Sequence, residues 1–68
     1  MDESIELTPG ERLRILRDRR GQTLAEAAAE LGCTDGTLSR IERGGRPSGP
    51  VAAAIERVYG IGAGEWYR

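Results

Sequence analysis

Apolar residues along the chain recur at the three- and four-residue spacing of a helix face, in four separate stretches. Leu13 and Leu16 mark the first, with Arg17 beside them on the same side. Ala27 and Leu31 mark the second, Leu38 and Ile41 the third, and Val51, Ile55 and Val58 the fourth. Start and stop residues bracket each stretch. Thr8-Pro9-Gly10-Glu11 reads as a capping box with proline at the first helical position, opening a helix that runs to about Arg20 and stops at Gly21. Thr23-Leu24-Ala25-Glu26 is a second capping box, for a helix Leu24–Leu31 that ends on Gly32, a residue suited to a left-handed C-terminus. Thr34 caps a third helix to about Arg43, before Gly44-Gly45. Ser48, after Pro47, opens a fourth that ends at Gly60, and the tail to Arg68 has room for one more turn around Trp66 and Tyr67. No strand-like alternation occurs. The pattern predicts an all-α bundle of four to five helices over residues 8–68, preceded by an acidic, flexible arm over residues 1–7.

Sixty-eight residues make one small domain with a marginal core. Domains of this size need a disulfide, a metal, tight helix packing or a partner subunit. One cysteine and no histidine leave no intrachain disulfide and no Cys/His zinc site, so helix packing and self-association remain. Cys33 reads as a small core residue with a reduced thiol, since no histidine is present to activate it. Gly60-Ile61-Gly62-Ala63-Gly64 has no helix after it to receive a pyrophosphate, and Gly44–Pro50 lacks the lysine of a nucleotide-binding loop. The scattered carboxylates form no pair around a substrate. The reading is therefore of no enzyme, no cofactor, no metal and no small-molecule substrate.

The net charge of −1 conceals a strong segregation. Residues 1–11 carry four acids and no base, whereas residues 12–20 carry five arginines against Asp18. Residues 21–39 carry three acids and no base, and residues 40–46 carry three arginines against Glu42. Without its first eleven residues the chain is +3. Acidity is thus concentrated at one end while basic clusters remain elsewhere, which keeps a polyanionic partner in play. Arg12, Arg14 and Arg19 read as a solvated helix face. No apolar run approaches the roughly 18 residues of a membrane span, and the acidic start differs from a signal peptide, so a cytoplasmic protein with no membrane partner is expected.

The informative stretch is LAEAAAELGCTDGTLSRIER, residues 24–43. Two short helices are joined by Gly32-Cys33-Thr34, with no room for a longer loop. A steep crossing needs a small residue on the first helix, a positive φ at the turn and inward apolar side chains. Ala28, Gly32, and the set Ala27, Leu31, Cys33, Leu38 and Ile41 meet those needs. In this segment the sequence resembles the phage-repressor-like helix-turn-helix family (Cro/CI or xenobiotic-response-element type). The resemblance spans about residues 10–66, including GERLRILRDRRG, TLAEAAAELG, TLSRIERG, the RPS that opens helix four and the YGIGAGEW ending. It implies a compact lambda-repressor-like bundle whose third helix, about residues 34–43, enters the major groove of double-stranded DNA. It further implies a nucleoid-associated transcriptional regulator, repressor-like and of phage type, acting as a homodimer at least when on DNA.

Carried over by position, the resemblance implies base-edge contacts from Thr34, Asp35, Gly36, Thr37 and Arg40. Arg40 is the strongest candidate, because a guanidinium bonds guanine O6 and N7 together. Phosphate contacts are implied for Thr23, Ser39, Arg43 and Arg46, and a buried structural ion pair for Arg17 and Glu42. Trp66 and Tyr67 read either as a lid on the core or as a dimer contact. Some positions depart from the family pattern. Leu24 stands where a phosphate-touching glutamine often begins helix two, so that contact is missing. Asp35 either stabilises the start of helix three or accepts from a cytosine amine, and Gly36 brings no side chain. These departures and the low isoelectric point support an alternative function for the same fold, a protein-interaction module such as an antitoxin-like partner, co-activator or anti-repressor.

Overall fold

A computed structural model describes residues 7–67. Most of the acidic arm expected over residues 1–7 lies outside the described residues, as does Arg68. Four α-helices and a final 3₁₀ turn make up the described chain: α1 Pro9–Arg19, α2 Leu24–Leu31, α3 Asp35–Glu42, α4 Gly49–Tyr59 and the turn Ala63–Tyr67. No strand occurs among the described residues. The fold is all-α.

Local chemistry explains the helix ends. The Thr8 hydroxyl accepts from the Glu11 amide at 3.2 Å while the Thr8 amide donates to Glu11 Oε1 at 2.8 Å. The same reciprocal pair recurs at Thr23 and Glu26, at 3.1 and 2.8 Å. Each box satisfies two amides at a helix start. Thr34 and Ser48 accept from the amides three residues on, at 3.1 and 3.5 Å. Gly32 and Gly60 end α2 and α4 with φ of +80° and +78°, a region that other residues rarely adopt. Helix α1 stops at Arg19, one residue short of the expected end, with Arg20 as its C-cap.

Leu13, Leu38, Ile41 and Ile55, from α1, α3 and α4, lie fully buried at the centre. Ala27, Ala28 and Leu31 bring α2 against α3, and alanine there lets the two backbones approach. The final turn places Trp66 in the same cluster, 7% exposed. Burying a large apolar side chain contributes about 1.5–3 kcal/mol, so these few residues dominate the stability of a small domain. Cys33 and Leu16 are half-buried at the edge of the core.

Polar ties fix α1 to the distant parts of the chain. Arg12 Nη2 meets Glu65 Oε1 at 2.7 Å, so Arg12 is half-buried and paired, where the sequence pattern suggested a solvated position. Arg20 Nη2 donates to the Val58 carbonyl at 2.6 Å, and its guanidinium stacks 4.5 Å from the Tyr59 ring centroid. Tyr59 donates its hydroxyl proton to Gln22 Oε1 at 2.5 Å, and Gln22 in turn donates to Glu30 at 3.0 Å.

Candidate nucleic-acid interface

Helix α3 has two unlike sides. Leu38 and Ile41 are completely buried against α1 and α2, and Glu42 is nearly so. Thr34, Asp35, Gly36 and Arg40 are exposed, and Thr37 and Ser39 are half-buried. Helical spacing makes this division inevitable: once 38 and 41 point inward, 36, 40 and 43 point away. The outward side is therefore a ridge of short side chains at the N-terminal end, followed by arginines.

Several of the ridge residues have local partners. The Thr34 hydroxyl accepts from the Thr37 amide and donates to the Thr37 hydroxyl at 2.9 Å. Asp35 Oδ1 accepts the Gly36 amide at 2.9 Å, so the carboxylate sits at the positive end of the helix dipole. This contact matches a capping role, and it leaves the second carboxylate oxygen free to accept. Gly36 has open space around it: an added Cβ would meet nothing within 4 Å. Gly45 packs on the Arg40 stem, where an added Cβ would lie 3.0 Å from Arg40 Cγ. The Gly45 amide also donates to the Arg40 carbonyl at 2.9 Å. The loop after α3 therefore steadies the base of Arg40.

Arg43 and Arg46 are exposed, beyond the last turn of α3. Arg43 Nε reaches back to the Ser39 carbonyl at 3.4 Å. Among the described residues, neither Arg40 nor Arg46 has a carboxylate partner. Thr23 is exposed at the start of α2, its hydroxyl occupied by the capping box. The interface candidates thus carry three cations, Arg40, Arg43 and Arg46, against Asp35.

Behind the ridge, Arg17 and Glu42 form a two-point ion pair. Arg17 Nε to Glu42 Oε2 is 2.7 Å, and Nη2 to Oε1 is 3.1 Å. Both residues are 9% exposed. The third nitrogen, Nη1, donates to the Gln22 carbonyl at 2.8 Å and lies 3.5 Å from Asp18. The hydrogen bonds to Glu42 outweigh burial and push the Arg17 guanidinium further above its ordinary range, so it stays charged. This pair ties α1 to the last turn of α3 and holds the ridge at a fixed angle to the bundle. Burial also pushes the Cys33 thiol up, which keeps it protonated and unreactive near neutral pH.

Trp66 and Tyr67 separate in the structure. Trp66 belongs to the core, whereas Tyr67 is 51% exposed and donates its hydroxyl proton to the Pro47 carbonyl at 3.3 Å. Of the two, only Tyr67 offers substantial surface to a second copy. Arg14 on α1, read from the sequence as part of a solvated helix face, is exposed. It lines a groove with Leu24, Ser39 and Arg43, a juxtaposition that depends on how α1 crosses α3.

A bundle in which a capped α2, a glycine turn and an outward α3 follow one another defines a helix-turn-helix DNA-binding domain. A family profile described as the helix-turn-helix domain matches residues 10–65, and the chain belongs to that family. Such domains bind DNA and are typically not enzymes. Searches of curated proteins and of solved structures give no match. No described helix is long and apolar enough to cross a membrane.

Proposed function

We propose that this helix-turn-helix domain is a sequence-specific transcriptional regulator of the phage-repressor-like type, binding an inverted repeat as a homodimer. The folded unit is residues 8–68, preceded by the acidic arm 1–7, and its site of action is the cytoplasmic nucleoid. Helix α3 lies in the major groove. Thr34, Asp35, Gly36, Thr37 and Arg40 face base edges, and Arg40 reads a guanine. Thr23, Ser39, Arg43 and Arg46 hold the sugar-phosphate backbone and fix the register. One domain makes few contacts, so two are needed, on half-sites about 34 Å apart.

The observation that carries this reading is the two-sided α3. Its inward face is sealed by Leu38 and Ile41, and its outward face combines small residues with unpaired Arg40. Small residues at the N-terminal end let the backbone come close to base edges. The test is selection from a random duplex pool, followed by the variant Arg40→Ala. An enriched palindrome is expected, and Arg40→Ala should lose about 1–3 kcal/mol, concentrated at one base position. Equal weakening on every sequence makes Arg40 a phosphate contact instead. No retention of any duplex at low salt transfers the fold to the protein-interaction reading.

A further inference from the structure

We propose that Arg14, Ser39 and Arg43 form a phosphate seat through which α1 itself grips the DNA backbone, an inference that rests on the DNA-binding reading above. The seat is a groove lined by Arg14 and Arg17 of α1, Leu24 of α2, Ser39 and Glu42 of α3, and Arg43 just beyond it. Within that lining Arg17 and Glu42 balance each other, the carboxylate being held by the guanidinium at 2.7 and 3.1 Å. What remains is the charge of Arg14 and Arg43 and the Ser39 hydroxyl. Both arginines are exposed. Glu11 and Asp18 flank Arg14 on its other side, lining a second groove with it, and neither comes within ion-pair distance of it. Among the described residues, Arg14 itself has no partner.

A phosphodiester oxygen fits such a place. Two cations and a hydroxyl line it, and the balanced Arg17–Glu42 pair adds no net repulsion. The geometry also bears on the start of α2. Leu24 lines the groove and has no hydrogen-bonding side chain, so α2's first residue brings no side-chain donor there. Arg14, entering from the facing helix, supplies the missing donor. One grip on the backbone thus comes from α1, beside that of Thr23 at the start of α2.

The experiment compares the unaltered chain with Arg14→Gln and Arg14→Lys. Duplex binding is followed by fluorescence anisotropy across a salt series. Inorganic phosphate is titrated separately by NMR, reading the Leu24 and Ser39 amides and the Arg14 side-chain N–H. Arg14→Gln should flatten the slope of log K against log salt by about 0.9, the yield of one phosphate contact, with base preference unchanged. Arg14→Lys should restore the slope. Phosphate should shift the Leu24 and Ser39 signals saturably in the unaltered chain and in Arg14→Lys, and not in Arg14→Gln. An unchanged slope in Arg14→Gln, with duplex binding otherwise intact, overturns the seat. Should the unaltered chain bind no duplex, the regulator reading fails on its own, and the phosphate titration decides the seat separately. Saturable shifts that depend on Arg14 then support it, and their absence overturns it. Thermal melting of each variant checks that the bundle remains folded.

Discussion

Arg17 is where loss of one side chain would leave a buried charge unpaired. Its guanidinium fork is matched by a carboxylate with both nitrogen–oxygen distances within hydrogen-bond range, and both partners are nine-tenths buried beside the α1–α3 groove. Replacing Arg17 by alanine would leave Glu42 buried without its cation, which costs about 3–5 kcal/mol. Domains are stable by roughly 0.05–0.15 kcal/mol per residue, about 3–10 kcal/mol for a chain of this length, so that loss takes at least about a third of the stability. Urea denaturation followed by circular dichroism should find the Arg17→Ala midpoint sharply lowered. Replacing both partners with apolar residues, Arg17→Met with Glu42→Leu, should recover most of the loss, because no lone charge stays inside. A single alanine variant with near-normal stability would mean that water reaches Glu42 and that the pair is not truly desolvated. Two glycines make a contrast at the same scale. A Cβ on Gly10 would stand 2.5 Å from the Ile41 carbonyl oxygen and 2.8 Å from that of Glu42, both backbone atoms that cannot step aside. Gly10→Ala should therefore cost about 1–3 kcal/mol by overpacking. Gly36, in the open on α3, should behave oppositely. Gly36→Ala should raise stability by up to about 1 kcal/mol through helix propensity alone. Thermal melts of the two variants should move in opposite directions.

At the scale of elements, the helices are legible because their ends are written in four residues at a time. Thr8 with Glu11, and Thr23 with Glu26, each close a box without reference to anything distant. Gly32 and Gly60 stop their helices through their own backbone freedom. The outward side of α3 was readable for a similar reason, since the apolar positions 38 and 41 determine which neighbours turn away. Tertiary partners were not readable. Arg12, Arg20 and Tyr59 bond residues 37 to 53 positions away, and no local pattern distinguishes these side chains from solvated ones. The same holds for Gly10, whose sequence context announces a cap while its packing role comes from the end of α3. Arg14 belongs with these, because its place beside Ser39 and Arg43 depends on the crossing of α1 over α3. The final turn shows both limits at once. An aromatic tail could be a lid or a contact, and only the packed structure separates Trp66, in the core, from Tyr67, at the surface.

For the whole molecule, the question is how a chain of net charge −1 holds a polyanion. Segregation answers it: the first eleven residues carry four acids, while the groove and the end of α3 gather Arg14, Arg43 and Arg46. Those three arginines are the phosphate-facing cations of one protomer in the reading proposed here. Each neutralised phosphate releases condensed counterions, and the binding constant falls with salt at a slope of about −0.9 per contact. With Arg14 and Arg43 on one phosphate and Arg46 on another, one protomer should thus give a slope of about −1.8, and a two-fold pair on an inverted repeat about −3.6. Anisotropy titrations over a potassium chloride series can compare a duplex carrying one half-site with one carrying both. The expected outcome is the shallow slope on the half-site and nearly double that on the full repeat, together with a dependence on protein concentration that requires two chains. A shallow slope on both duplexes would show that each domain binds alone, and it would remove the homodimer from the proposal while leaving α3 in the groove. Removing residues 1–6 from the same chain should then strengthen binding to unrelated sequences at low salt. Repulsion between Asp2, Glu3, Glu6 and phosphate is long-ranged there, and it fades once the Debye length shrinks below about 10 Å.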